Sequence, residues 1–498
     1  MLQKVERDQA TGETVVPTAD VLSRDQQKSE SLYAGRVQVY PKRISGQVRR
    51  VKWAALAVLL GIYYLAPWLR WDRGPNAPDQ ALLIDMPSRR AYFFWIEIWP
   101  QEVYYLTGIL ILGALGLFLA TSIGGRVWCG FTCPQTVWTD LFMAVERAIE
   151  GDRNARIRLD KAPMSADKLA RKTAKHGVWL LIAFATGGAW IMYFKDAPTL
   201  VSEFFVGQSS LTIYFFTGLF TATTYLLAGM AREQVCTYMC PWPRFQSALL
   251  DEESLVVTYR NWRGEPRGKH KKGDSWEGRG DCIDCRQCVA VCPTGIDIRD
   301  GLQLECIGCG LCIDACDEVM DKVERPRGLI AFETERNRIA GVAGQARLPY
   351  RLIRPRTIVY VVLIALVGAL MLATLAMRAT LDINVQHERN PLFVTLSDGG
   401  IRNGYTIKIL NKTRAPRSFV LTLEGQPEAR FGVVGKQAEQ VSSALLGAQP
   451  DTVATYRVYV QLPRGAVTDD TLPLDFVLTD SETGETARHG AVFRGPRP

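Results

Sequence analysis

Histidine is scarce in this chain of 498 residues: there are four, His176, His270, His387 and His489. None falls within a long apolar stretch, which excludes a membrane b-type haem with axial ligands inside helices. No G-x-G-x-x-G sits on a strand–turn–helix unit and no Walker sequence occurs, so neither NAD(P)H nor ATP has its usual grip. Residues 379–498 contain no cysteine and no tryptophan. That removes disulfides from the region, together with the Cys–Trp–Cys signature of antibody domains. A cleavable signal peptide is not expected either, because the first fifty residues are polar and mixed in charge.

Long apolar runs, by contrast, are abundant. They extend from Val51 to Leu69, Glu102 to Ile123, Gly177 to Phe194, Leu211 to Met230 and Thr357 to Met377, each close to the roughly 20 residues that cross a bilayer core. Five spans are therefore expected. Arg and Lys crowd the stretch from Arg126 to Lys175, whereas Lys195 to Ser210 holds only Lys195. The positive-inside bias then puts the N-terminus in the cytoplasm and, with an odd number of spans, the C-terminus outside. The net charge of +8 is mostly this topology signal and does not point to nucleic acid. Between the first two spans, the aromatic stretch "AYFFWIEIWP" reads as an interfacial belt. After the second, Val137, Leu141, Val145 and Ala148 fall on one face, as in an amphipathic helix lying on the inner surface.

Eight of the twelve cysteines form one motif. Cys282, Cys285, Cys288 and Cys292 are followed by Cys306, Cys309, Cys312 and Cys316, so C-x2-C-x2-C-x3-C occurs twice, as in bacterial two-cluster ferredoxins. At this pitch three thiolates wrap one [4Fe-4S] cluster while the fourth reaches the other. One cluster is thus assigned Cys282, Cys285, Cys288 and Cys316, and the second Cys306, Cys309, Cys312 and Cys292. Pro293 follows Cys292 as the motif expects, whereas Asp317 stands where the second copy would have proline. Zinc sites use two pairs of ligands, not two runs of four. The segment before the motif, from Asp251 to Gly280, reads as a connector wrapped against the cluster domain, with His270 solvated beside Lys269 and Lys271.

The other four cysteines make two matching C-x3-C-P pairs, Cys129 with Cys133 and Cys240 with Cys236. Each pair follows a span running outward to inward, so the duplication sets both dithiols at one depth on the cytoplasmic face. The prolines suit the first turn of a new helix, which places Cys133 and Cys240 at helix N-termini, where partial positive charge favours thiolate. Soft sulfur suits Cu(I), zinc or iron–sulfur. A third [4Fe-4S] cluster and a labile disulfide stay open, and Met143 and Met239 could add a thioether.

Beyond the fifth span, "YTIKIL", "SFVLTL", "TYRVYVQL" and "LPLDFVLT" read as short strands between Gly, Pro, Asn and Asp. The expected fold is a multidomain membrane protein: a five-span α-helical transmembrane domain, an inserted two-[4Fe-4S] ferredoxin-like domain and a C-terminal immunoglobulin-like β-sandwich. Its parts are a cytoplasmic tail at 1–50, spans one to four with the C-x3-C-P motifs at 51–250, the cytoplasmic ferredoxin domain at 251–356, span five at 357–378 and the exported sandwich at 379–498.

The order of "GGRVWCGFTCPQTVWTDLF", "EQVCTYMCPWPRFQSAL", the ferredoxin motif and the sandwich resembles the FixG, RdxA or CcoG family of accessory proteins for cbb-type cytochrome c oxidase. The resemblance covers nearly the whole chain from the first span. It implies a multi-pass protein of the bacterial inner membrane, with a periplasmic C-terminal domain, that reduces Cu(II) to Cu(I) in the cytoplasm for oxidase assembly. Cys129, Cys133, Cys236 and Cys240 match the motifs for which copper binding is proposed, and so become the candidate catalytic and metal residues. The implied partners are the membrane, copper ions, a copper transporter or chaperone and oxidase assembly factors, with a homo-oligomer left open. Two alternatives are a quinol dehydrogenase-type electron-transfer subunit, whose usual layout lacks the large sandwich, and a non-enzymatic assembly scaffold or redox sensor.

Overall fold

The computed structural model describes residues 38–74, 77–270, 273, 275–413, 415–436 and 440–496, together with a short backbone pairing of Glu6–Arg7 with Thr14–Val15. Most of the expected N-terminal tail lies outside the described residues. Its last stretch is a strap: the Lys42 amide donates to the Ala290 carbonyl at 2.8 Å, and Arg156 donates to the Pro41 carbonyl at 2.6 Å.

Four helices are long and apolar enough to cross a membrane: Gln47–Trp68, Pro100–Gly124, Leu211–Ala231 and Pro355–Ala376. The third expected span, Gly177 to Phe194, falls mostly in the second half of a longer helix, Ala166–Ile191. Its first turns carry Lys168, Arg171, Lys172 and Lys175, and its apolar part, 177–191, is only about 22 Å long as a helix. That falls short of the roughly 30 Å hydrocarbon core. The helix nonetheless joins the same two ends as the others. Near its start Lys175 pairs with Glu150 at 2.9 Å, and just past its end the Tyr193 carbonyl accepts from the Ile84 amide at 2.8 Å.

All twelve cysteines lie at one end of this bundle. At the other end, Leu82–Asp85, Arg90–Phe93 and Ile96–Ile98 form a three-stranded antiparallel sheet. The aromatic stretch expected as a membrane belt is therefore partly a folded element: Tyr92 and Trp99 are buried in protein while Trp95 stays exposed. The Arg90 guanidinium lies 3.7 Å from the Trp99 ring centroid and pairs with Asp451 at 3.1 Å, tying the sheet to the C-terminal domain. Lys412 reaches Glu102 at 3.1 Å across the same junction.

The C-terminal domain is a β-sandwich. One sheet is built on Ile401–Asn411 and Thr452–Leu462, which pair antiparallel along their full length, with Leu381–His387 and Arg430–Val433 on the outer sides. The other has the order Ser443–Ala448, Arg417–Glu424, Thr471–Asp480, Thr486–Arg494. Alternation puts Tyr405, Ile407, Ile409, Phe419, Leu421 and Phe476 in the shared core, as period-2 patterning requires.

Candidate iron–sulfur and thiol centre

The ferredoxin-like unit is closed by a small sheet, Val256–Tyr259 paired with Ile330–Glu333, so the connector is indeed wrapped against the cysteine motif. His270 stacks on Trp276 with ring centroids 4.0 Å apart. Within the unit, helices Gln287–Val291 and Leu311–Lys322 each follow the start of one cysteine run. Two enclosed cavities lie between them. Cys282, Cys285, Cys288 and Cys316 line one, and Cys292, Cys306, Cys309 and Cys312 line the other. Cys288 touches both cavities, but Cys316 is electrostatically coupled to Cys288, Cys282 and Cys285, which keeps Cys288 with the first set. The crossed assignment is compatible with these linings, with Cys288 lying between the two cavities.

The donor sets fit [4Fe-4S] clusters: the four cysteine sulfurs of each set line a small cavity. Backbone amides of Gly308 and Leu311 donate toward Cys306 and Cys309, which favours sulfur that carries negative charge. Burial outweighs these amides, pushing the Cys306 thiol up to about 12 and Cys288 up to about 11. Of the eight cysteines only Cys285 is exposed.

The C-x3-C-P pairs adopt one local structure twice. Each begins in a π-helical turn, Trp128–Thr132 or Val235–Met239. The turns are closed by Cys133 N–H to Trp128 O at 2.8 Å and by Cys240 N–H to Val235 O at 2.7 Å. Cys133 is then the N-cap of helix Pro134–Glu150, and Cys240 stands just before the N-cap of helix Trp242–Leu249. The residue four before each first cysteine turns the chain with the same unusual backbone: Gly125 at φ 62°, ψ −126° and Arg232 at φ 45°, ψ −111°. Gly125 cannot be larger, because a Cβ would lie 2.0 Å from the Leu255 carbonyl oxygen. Arg232 holds its turn by pairing with Glu146 at 3.0 Å and donating Nε–H to the Gly229 carbonyl at 2.8 Å.

These turns set the two pairs close enough for their cysteines to feel one another's charge. Burial pushes both Cys129 and Cys236 up to about 12, and each feels neighbouring pair cysteines. The Cys129 thiol donates to Gln246 Oε1 at 2.9 Å, and the Thr136 hydroxyl donates to the Cys129 carbonyl at 2.6 Å. The pairs also abut the second cavity. Cys129 and Cys309 share one packed cluster, with Cys236 and Cys312 against it. A Cβ on Gly130 would meet the Gly308 carbonyl oxygen at 2.9 Å and Cys309 Cα at 3.1 Å. Arg126 bridges the two sites, donating Nη1–H to the Leu304 and Cys306 carbonyls at 2.6 Å each. Met143 is buried nearby, whereas Met239 is exposed. Among the described residues, no three His, Cys, Asp or Glu side chains are gathered so that they could hold a single metal ion. The copper expectation at Cys129, Cys133, Cys236 and Cys240 therefore has no preformed mononuclear site.

Helix Pro134–Glu150 departs from its expected place on the membrane surface. Phe142 and Trp179 pack inside the protein, and the buried face carries Asp140, Glu146 and Glu150. Asp140 pairs with Arg49 at 2.8 Å and Lys52 at 3.7 Å, and Glu146 pairs with Arg156 at 2.7 Å. Periodicity of apolar residues alone missed this face; of its acidic residues only Glu146 and Glu150 stand four apart, on one side of the helix.

Comparison with known proteins gives concordant matches. A family model described as a 4Fe-4S dicluster domain matches residues 231–335, and one described as a 4Fe-4S binding domain matches residues 106–150. A third, described as the IG-like fold at the C-terminal of FixG, matches residues 371–496. Nitrogen fixation protein FixG of Rhizobium meliloti (strain 1021) is 50% identical over 492 residues, covering 93% of this chain and 94% of that protein. Protein RdxA of Cereibacter sphaeroides is 49% identical over 477 residues, covering 94% and 100%. The crystal structure of a FixG-related protein from Vibrio parahaemolyticus aligns at 20% identity over 23% of this chain and 96% of that one, with a TM-score of 0.20. Both C-x3-C-P pairs lie inside segments that iron–sulfur models match.

Proposed function

The chain belongs to the FixG/RdxA family of membrane iron–sulfur electron-transfer proteins, and we propose that it reduces Cu(II) to Cu(I) at its four paired cysteines. The observation that carries this reading is the direct packing of the Cys129 turn against the Gly308–Cys309 backbone. Two [4Fe-4S] clusters, held by Cys282, Cys285, Cys288 and Cys316 and by Cys292, Cys306, Cys309 and Cys312, supply one-electron chemistry when bound. Cys285 is the exposed edge facing a donor. The paired thiolates favour Cu(I) over Cu(II), so reduction and capture reinforce one another. Each Cu(II) ion consumes one electron, taken from an external reductant. Basic residues such as Arg49, Lys52 and Arg126 at the cysteine-bearing end support a cytoplasmic placement for it, and hence a periplasmic sandwich in the inner membrane. Supply of Cu(I) to a transporter or chaperone for cbb-type oxidase assembly is the role this chemistry suits.

The test is anaerobic Cu(II) reduction by pre-reduced protein, followed with a Cu(I)-specific chromophore. The wild type should outpace a variant lacking all eight cluster cysteines by a wide margin; equal rates would sink the reading. The match of residues 106–150 to a 4Fe-4S binding domain favours a second reading, a third cluster at the paired cysteines. About twelve irons per chain in place of about eight would establish it.

A further inference from the structure

One cavity outside the cysteine centre is lined by no cysteine. It has a volume of ≈ 760 Å³ and lies between the N-terminal strap, the first turns of helix Gln47–Leu65 and helix Pro134–Glu150. This is well inside the size range of small-ligand sites. Its wall is strongly basic: six Lys and Arg side chains face two carboxylates, Asp140 and Asp152. Asp140 is already held by Arg49 and Lys52, and Asp152 accepts from the Arg43 amide at 2.9 Å. Among the described residues no carboxylate forms an ion pair with Arg43, Arg50 or Arg147. Arg147 is pushed down to about 10, first by burial and then by the like charge of Arg49, with Asp140 and Asp152 offsetting only part of that. The opposite wall is apolar, formed by Ile44, Trp53 and Met143, with the Arg49 guanidinium 4.6 Å from the Trp53 ring centroid. Val291 and Pro293, which flank Cys292, close one side.

We infer that this cavity binds the phosphate ester of an anionic ligand, with Arg147 and Arg50 gripping the phosphate and Trp53 covering its apolar part. Forked guanidinium donors match phosphate oxygens in number and geometry. The first turn of a membrane-crossing helix is where such a pocket meets anionic headgroups; the loop of Cys292 is where a phosphorylated redox molecule would have use. Phosphate is common to both sources, and the experiment separates them.

Full-length protein in detergent is titrated, by native mass spectrometry, with dioleoylphosphatidylglycerol against dioleoylglycerol and with flavin mononucleotide against riboflavin. At least one phosphate-bearing probe should bind one-to-one and about tenfold more tightly than its phosphate-free counterpart. Arg147→Gln should abolish that preference while Arg147→Lys keeps most of it, with iron content reporting that each variant folds. Should Arg147→Gln lose its iron, Arg50→Gln on the exposed rim carries the test. Phosphatidylglycerol preference identifies a lipid site, and flavin mononucleotide preference a soluble ligand. Equal binding within both probe pairs, or full preference in the folded glutamine variant, overturns the proposal.

Discussion

Replacing Gly130 with alanine isolates the contact between the paired-cysteine turn and the second cluster loop. A Cβ at this position would sit 2.9 Å from the Gly308 oxygen, 3.0 Å from its carbonyl carbon and 3.1 Å from Cys309 Cα. All three are backbone atoms, so no side chain can swing aside and the two loops must separate. Overpacking of this kind costs about 1–3 kcal/mol, which corresponds to about a fivefold to 150-fold rise in the population of the opened loop. Bleaching of cluster absorbance by an iron chelator reads that opening, because Cys306 and Cys309, the proposed ligands, lie in the displaced segment. Gly61→Ala is the control, since a Cβ there meets nothing within 4 Å. Bleaching should accelerate at least about fivefold in Gly130→Ala and stay near the wild-type rate in Gly61→Ala. Equal rates in the two variants would refute the packing on which the relay to the paired cysteines depends.

Three further outcomes follow from particular contacts. Asp140→Ala leaves Arg49 and Lys52 buried without a counter-charge and should cost about 3–5 kcal/mol, visible as lost yield and earlier thermal loss of iron; a cost below about 1 kcal/mol contradicts the pairing. At Arg232, glycine accepts the positive φ that alanine resists while both remove the Glu146 pair, so Arg232→Gly should be more stable than Arg232→Ala by about 1 kcal/mol; the reverse order would disprove strain at that turn. Glu97, at the junction with the sandwich, is raised to about 7 by burial and by the neighbouring Asp451. A carboxyl raised on folding lends stability at low pH that is lost as pH climbs from the unfolded value, about 4.3, through about 7. Amide protection factors around Asp451, corrected for intrinsic exchange, should therefore fall over that window in the wild type and stay level in Glu97→Gln; a fall of equal size in the variant would contradict it.

Much of the site was legible in the sequence because cysteine spacing is itself a geometric statement. The pitch of the two runs marked the eight thiols that line the two cavities, and the repeated C-x3-C-P marked two equivalent turns. Charge asymmetry and apolar length located the helices, although the charged first half of Ala166–Ile191 shortened one of them. Long-range ion pairing was not legible. Buried Asp140, Glu146 and Glu150 find partners from residue 49 to residue 232, contacts that no local window contains. Nor was the matching turn at Arg232, since glycine signals such a backbone and arginine does not. The stretch around Tyr92 and Trp99 reads equally well as a membrane belt or a small sheet, and only the junction with Asp451 decides it.

The central claim is that electrons held by the eight-cysteine unit leave through Cys129, Cys133, Cys236 and Cys240. Its most direct test is the quadruple serine variant of those four, purified anaerobically, reduced, and mixed with Cu(II), with iron counted in the same sample. The account predicts about eight irons per chain, unchanged from the wild type, and loss of fast Cu(I) formation. Undiminished Cu(II) reduction at full iron content, or the loss of four irons with the four thiols, would contradict it.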